Sequence, residues 1–356
     1  MEADLDTLAP TGPLTEWLDA NVPELGSEPL RTELLSGGTS NVVLTLDRGD
    51  GRMVMRRPPA VPPPGAEKGV LREARVLTAL NKTDVPKPVC YGSCEDASVV
   101  GAPFYVMEMV DGWAPNLREE KIWNEPPFDA MPFVYRIPFA IIDGLVALAN
   151  VDHEAIGLGD YGKPGNFLER QVDRWSGQLK SYPEKYKGYQ PRQLEGLETI
   201  EGWLRDNTPK KEVRGIIHGD VGTPNMMFHH APPARLAAMI DWELSTIGDP
   251  MIDMGWFTGG MIDERFPDLT SASGLSDPDQ FPTRQELMRY YASGTGRDPD
   301  ELDYFTLLAG FKSACILEYK VAQAQAGKLP KNVGRFFARI VDESLKKNAE
   351  LVRRIS

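Results

Sequence analysis

The segment from Gly215 to Asp253 constrains this chain more than any other. It reads GIIHGDVGTPNMMFHHAPPARLAAMIDWELSTIGDPMID, short apolar runs alternating with single acids and amides. Gly215–Ile217 predicts a buried strand feeding His218 and Asp220. Met226–Phe228 and Leu236–Ile240 predict two strands joined by a turn over His230–Arg235, where paired prolines interrupt the pattern. In an antiparallel pairing, the start of the first strand lies beside the end of the second. Asn225 and Asp241 then meet at one end, next to the loop that carries Asp220. Two carboxylates and a carboxamide converging there suit a hard cation such as Mg²⁺, which takes oxygen ligands, few of them from protein, and keeps positions for phosphate and water. The plainer role of these residue types is to cap loop turns.

Upstream, Leu30–Leu35, Val42–Leu46 and Met53–Arg57 predict strands. The bend between the first two is Ser36, Gly37, Gly38, Thr39, Ser40 and Asn41. A glycine-rich bend between strands lets backbone N–H groups and hydroxyls approach phosphate, although the stretch matches no standard phosphate-loop pattern and resembles many hairpin loops. Pro58, Pro59 and Pro62–Pro64 end the third strand. In the helix predicted over Glu67–Leu80, Val70, Val76, Leu77 and Leu80 flank Glu73 on one face. A carboxylate in an apolar stripe needs a partner. Arg56 at the end of the preceding strand is the first candidate and Arg57 the second.

A chain of 356 residues with 41% hydrophobic content can bury a sizeable core and form two lobes. Its net charge of −13 argues against nucleic acid or an anionic membrane as partner. Three cysteines and four histidines disfavour a zinc site and fit a reducing cytoplasm. The acidic N-terminus lacks a secretory pattern. Ser98–Val100 and Phe104–Val110 predict further strands. The change from strand to loop at Glu108-Met109-Val110-Asp111-Gly112 sets a division into residues 1–109 and 110–356. The stretch 114–132 reads as a lid or a long surface loop, and helices follow over 133–150, 166–180, 192–206, 284–292, 299–326 and 333–355. Asp249-Pro250 predicts a helix start, with Asp253 one turn inside it.

Taken together, HGDVGTPN (218–225), IDWELSTIGDPMIDM (240–254) and the ordered LSGGTSN, VMRRPP, LREARVL and FYVMEMVDG resemble the aminoglycoside phosphotransferase and choline kinase families, which share the protein-kinase-like fold. GGTSN, MRRPP, NFLERQVDRW and IDWELSTIGDP are similar to kinase-like domains related to those fused to certain acyl-CoA dehydrogenases, which implies a metabolic acceptor, including a hydroxyacyl compound, rather than an antibiotic. The resemblance implies an α+β bilobal fold: a small N-terminal antiparallel sheet plus helix, and a larger, mainly helical C-terminal lobe. It implies transfer of the γ-phosphoryl group of ATP, with Mg²⁺, to a hydroxyl of a small molecule. Asp220 would act on the hydroxyl proton, and Asn225 and Asp241 would hold the metal. Arg56, fixed by Glu73, would hold phosphate, Ser36–Asn41 would cover the triphosphate, and the backbone of Glu108, Met109 and Val110 would meet adenine. Glu243 is a further metal candidate, and His218, Asp249 and Asp253 would brace the loop. One departure is Arg56, which stands where the family carries lysine and leaves a nucleotide-binding pseudokinase as an alternative. A metal-dependent phosphohydrolase is another.

Overall fold

The computed structural model describes all residues except 1–4, 38–40, 119–120, 164, 166, 212, 270–276 and 278, with backbone alone at 36–37, 117–118 and 121–123. Five strands form one antiparallel sheet: β1 (Arg31–Gly37), β2 (Val42–Arg48), β3 (Gly51–Arg57), β4 (Cys90–Cys94) and β5 (Phe104–Glu108), in the order β1-β2-β3-β5-β4. Short helices α1 (Leu5–Leu8) and α2 (Thr11–Asn21) cover one face, where Leu14 and Leu18 bury against Leu44, Leu46, Met55 and Phe104. Helix α3 (Ala66–Leu80) covers the other, through the stripe of Val70, Val76, Leu77 and Leu80.

One expectation fails in this lobe, and one strand was not anticipated. Residues 98–100 belong to a one-turn helix, α4 (Ala97–Val100), because the Asp96 carboxylate accepts the Ser98 N–H at 2.8 Å and Gly101 closes the turn at φ 82°. These caps outweigh the β-branched valines. The strand beside β5 is instead β4, whose CYGSC sequence has no alternating pattern. Pairing supplies what local propensity lacks, with an irregularity at Tyr91 between Cys90 and Gly92.

Beyond β5 the chain forms a small hairpin, β6 (Asn116–Arg118) and β7 (Lys121–Trp123). It then builds the helical lobe: α5 (Phe133–Ala149), α6 (Glu169–Lys185), α7 (Leu197–Asp206), α8 (Met251–Thr258), α9 (Arg284–Thr295), α10 (Leu302–Gln325) and α11 (Lys331–Ile355). Between α7 and α8 lie β8 (Gly215–Ile217), β9 (Met226–Phe228), β10 (Leu236–Met239) and β11 (Thr246–Gly248). β9 pairs with β10 and β8 with β11, both antiparallel. The larger apolar core runs from α3 through α5, α8 and α10 without a break. Among the described residues no helix is long and apolar enough to cross a membrane.

Candidate active site

β8 is wholly buried and delivers His218, Gly219 and Asp220 to the floor of the cleft between the lobes. The His218 ring is inaccessible to solvent. Its Nε2 lies 3.0 Å from the Ile240 carbonyl and its Nδ1 accepts the Asp220 N–H at 3.3 Å, which selects the neutral tautomer protonated at Nε2. Burial agrees, pushing its pKa down to about 4. On α8, the buried Asp253 carboxylate accepts the N–H groups of His218 at 2.7 Å and Gly219 at 2.9 Å. Burial raises Asp253 to about 6 against the pull of those two bonds. Gly219 has φ 88°, and a Cβ there would sit 2.6 Å from the Leu244 carbonyl, so the turn requires glycine.

The hairpin brings the amide and the second acid alongside. Met226 pairs with Met239, and the Ile240 N–H donates to the Asn225 carbonyl at 2.9 Å. The Asn225 amide nitrogen donates to both the carbonyl and Oδ2 of Asp220 at 3.0 Å, leaving its Oδ1 as an oxygen donor. Burial raises the pKa of Asp220. The Asn225 bond and Lys312 oppose that rise, while the nearby Asp241 charge adds to it. Asp241 is the one non-glycine with positive φ among the described residues, at φ 66° and ψ 66°. Aspartate tolerates that region better than most residues, and such local strain gathers at functional sites.

Arg56 closes the cleft from the sheet. Its guanidinium meets Glu73 at 3.1 Å, Asp241 at 2.8 Å and Glu243 at 3.3 Å. Burial disfavours its charge, but Glu73, Tyr105 and Asp241 outweigh that and raise its pKa. Burial lifts Glu73 to about 7 even with Arg56 beside it, and Glu73 also accepts the Trp242 N–H at 3.0 Å. Glu73 therefore joins α3, β3 and the residue after Asp241. The alternative partner, Arg57, is spent elsewhere, on the carbonyls of Leu8, Val100 and Pro58.

A cavity of about 600 Å³ occupies the cleft. Val43 and Val54 line it from the sheet, Met227 and Ile240 from the hairpin, and Glu108–Val110 line its back. Arg56, Asn41, Asn225, Asp241 and Glu243 gather at one end. An apolar slot with a polar mouth fits a flat base with a charged tail. Asn41 donates to Glu243 at 3.2 Å. Ser36 and Gly37 end β1, with their side chains not described, and Gly38, Thr39 and Ser40 lie outside the described residues. The Glu108 N–H goes to the Val89 carbonyl at 2.8 Å, which removes it as a donor to a base.

Asp249 caps the Met251 N–H at 3.0 Å and is clamped by Arg297 at 2.6 Å. Sequence reasoning missed Arg297, which nothing local marks. It also missed Lys312 on α10, whose ammonium lies 3.3 Å from the Gly219 carbonyl and 4.2 Å from the Trp256 ring centre. A signal for Lys312 was present: Phe305, Leu308, Ile316 and Tyr319 place it inside an apolar stripe, as the stripe on α3 does Glu73.

A five-stranded sheet over a helical lobe, with HxDxxxxN and a following aspartate in the cleft, defines the protein-kinase-like class in its small-molecule phosphotransferase form. Residues 31–301 match the phosphotransferase enzyme family, and the chain belongs to that family. A solved structure from Ralstonia eutropha JMP134, described provisionally as an aminoglycoside phosphotransferase, is 30% identical with TM-score 0.76, covering 96% of this chain and 98% of that one. Aminoglycoside phosphotransferase APH(4)-Ia, solved with AMP-PNP and hygromycin B, shares the fold at 14% identity and TM-score 0.56, covering 95% of this chain and 99% of that one. Acyl-CoA dehydrogenase family member 10 of Mus musculus is 28% identical over 317 residues, 87% of this chain. This chain spans only 28% of the length of that relative.

Proposed function

We propose that the protein transfers the γ-phosphoryl group of ATP to a hydroxyl of a small molecule, with Asp220 as the residue that receives the hydroxyl proton. The observation that carries this reading is that Asn225 and Asp241 line one end of an apolar slot closed by Arg56, with Asp220 bonded to Asn225 beside it. In the reaction, the acceptor oxygen bonds to the γ-phosphorus, the bond from that phosphorus to the β-bridging oxygen breaks, and ADP leaves with the electron pair. The proton passes to Asp220 Oδ. Burial raises the basicity of that carboxylate, and Asn225 orients it.

The donor set fits Mg²⁺. Asn225 offers Oδ1, Asp241 a half-exposed carboxylate, and Glu243 lies beside them, all hard oxygens. When bound, the metal would neutralise charge on the transferring phosphates. Arg56, anchored by Glu73, would face the phosphates, its guanidinium keeping the lysine charge with a fork geometry. Ser36–Asn41 would cover the triphosphate. Met109 and Val110, rather than the Glu108 N–H, would meet the base. Asp253 and His218 hold the loop, and Asp249 fixes the helix that carries Asp253. Residues 1–109 and 110–356 are the nucleotide-binding and acceptor-binding halves in this reading.

The test is incubation with ATP and Mg²⁺ against a panel of hydroxylated metabolites and antibiotics, read by mass. A gain of one phosphoryl group on an acceptor is expected. Phosphate release independent of every acceptor would instead make the protein a hydrolase. Nucleotide binding without turnover would make it a pseudokinase.

A further inference from the structure

A second cavity, of about 540 Å³, opens beside Gly219 on the helical side of the catalytic loop, between α6, α8 and α10. Phe305, Leu308, Ile252 and Ile316 make much of its wall apolar, and Trp175 and Trp256 add aromatic faces. Its charged lining residues are Arg174, Lys185 and Lys312. No aspartate or glutamate lines it, in a chain whose net charge is −13.

Among the described residues, none of these three cations lies within 4 Å of a carboxylate, whereas Arg56, Arg192, Arg265 and Arg297 are each paired with two or more. Among the described residues Lys312 bonds to the Gly219 carbonyl and rests on the Trp256 ring. Arg174 lies over Trp175. Burial disfavours the charge of Lys312, the Asp253 and Asp220 charges behind the loop favour it, and the nearby Arg174 charge opposes it. Neighbouring cations in a partly desolvated pocket repel one another, and an anionic guest relieves that repulsion. A polycationic guest such as an aminoglycoside adds to it.

Resting on the phosphotransferase reading above, we infer that Lys312, with Arg174 beside it, is the specificity-determining residue of the acceptor pocket. It selects an alcohol whose apolar chain also carries an anionic group. The apolar wall takes the chain, Lys312 and Arg174 take the anion, and the hydroxyl is left at Asp220. Lys312 also lies 3.3 Å from the Gly219 carbonyl, which places the anion site beside the loop that carries Asp220.

The test uses the full chain with ATP and Mg²⁺. Alcohols on one apolar chain, ending in carboxylate, phosphate, carboxamide or ammonium, are compared by kcat/KM. Binding of the same compounds is measured by calorimetry with ADP present. The wild type should favour the better anionic member over the carboxamide by about tenfold or more and reject the ammonium, while the carboxylate and phosphate members identify which anion it takes. Lys312→Met should lower kcat/KM for the anionic member about tenfold, mostly through KM, and change the carboxamide far less. Lys312→Arg should recover part of the loss, and Lys312→Glu should shift preference toward the ammonium. An equal loss on all four acceptors in Lys312→Met would reduce Lys312 to a loop support and overturn the inference. Equal or better use of the ammonium acceptor by the wild type would overturn it too, while leaving the phosphotransferase reading intact. A protein that binds ADP but phosphorylates no acceptor, and binds none by calorimetry, would defeat both. ADP binding by each variant shows that it has folded.

Discussion

At the scale of single residues, charge at the catalytic loop is set by burial more than by partners. Asp220 is pushed toward greater basicity while Asn225 holds its orientation. Replacing it separates binding from chemistry. Asp220→Ala should keep ADP affinity within about twofold, measured by calorimetry, and lower transfer by about 10²–10⁴, the usual contribution of a positioned base. Full turnover in that variant would remove Asp220 from the proton path. Asp253 yields a pH prediction whose two parts have opposite sign. Its folded pKa is about 6, above the ordinary 3.8. Protonating it therefore adds stability as pH falls through that window, and ionising it removes that stability as pH rises. Activity runs the other way, because a protonated carboxyl has an O–H in place of one acceptor and cannot hold the His218 and Gly219 N–H groups equally. Transfer should decline below about pH 6 without a matching loss of stability from this group. Asp253→Asn should be slow at every pH and lack that limb. An unchanged limb would assign it to another acid.

At the scale of elements, what could be read depended on whether a pattern was local. The β9–β10 hairpin was legible because apolar runs and a proline turn fix the register, and register alone brings Asn225 to Asp241. Glu73 was legible because one charge interrupts a stripe on α3, and Lys312 carries the same mark on α10. β4 was not legible. Its glycine and cysteines gain a strand only from β5, and the caps of α4 overrode a run of valines. Arg297 and the second cavity were hidden for a related reason, since they arise from packing between elements far apart in sequence. The approach of α8 to α10 is one such packing. A Cβ on Gly255 would fall 2.3 Å from the Phe305 carbonyl, a backbone atom that cannot step aside. Gly255→Ala should cost about 1–3 kcal/mol in urea unfolding through overpacking. Because these helices wall the second cavity, it should also raise acceptor KM more than ADP Kd. An unchanged unfolding midpoint would mean that the two helices are free to separate.

At the scale of the whole molecule, the lobes are joined by polar contacts that include Arg72 on the Ser245 carbonyl and Arg75 on Asp160, and Glu73 anchors those at the cleft. It is 1% exposed, pairs with Arg56 of the sheet and accepts the Trp242 N–H of the helical lobe, one residue past Asp241. Nucleotide binding in the cleft should therefore depend on a residue that need not touch nucleotide. Glu73→Gln keeps an oxygen for the Trp242 N–H but removes the charge that anchors Arg56. Glu73→Ala removes both and leaves a buried guanidinium with one carboxylate fewer. Breaking a buried pair from one side costs about 3–5 kcal/mol, so Glu73→Ala should unfold at clearly lower urea than Glu73→Gln. Both should bind ADP more weakly than the wild type. Arg56→Ala combined with Glu73→Ala should cost less than the sum of the single changes, because the second removes a charge the first has already orphaned. Additive losses would mean that Arg56 draws its position from Asp241 and Glu243 alone. The sheet would then bear on the metal end of the cleft without α3, and the path from Glu73 through Trp242 would carry only stability.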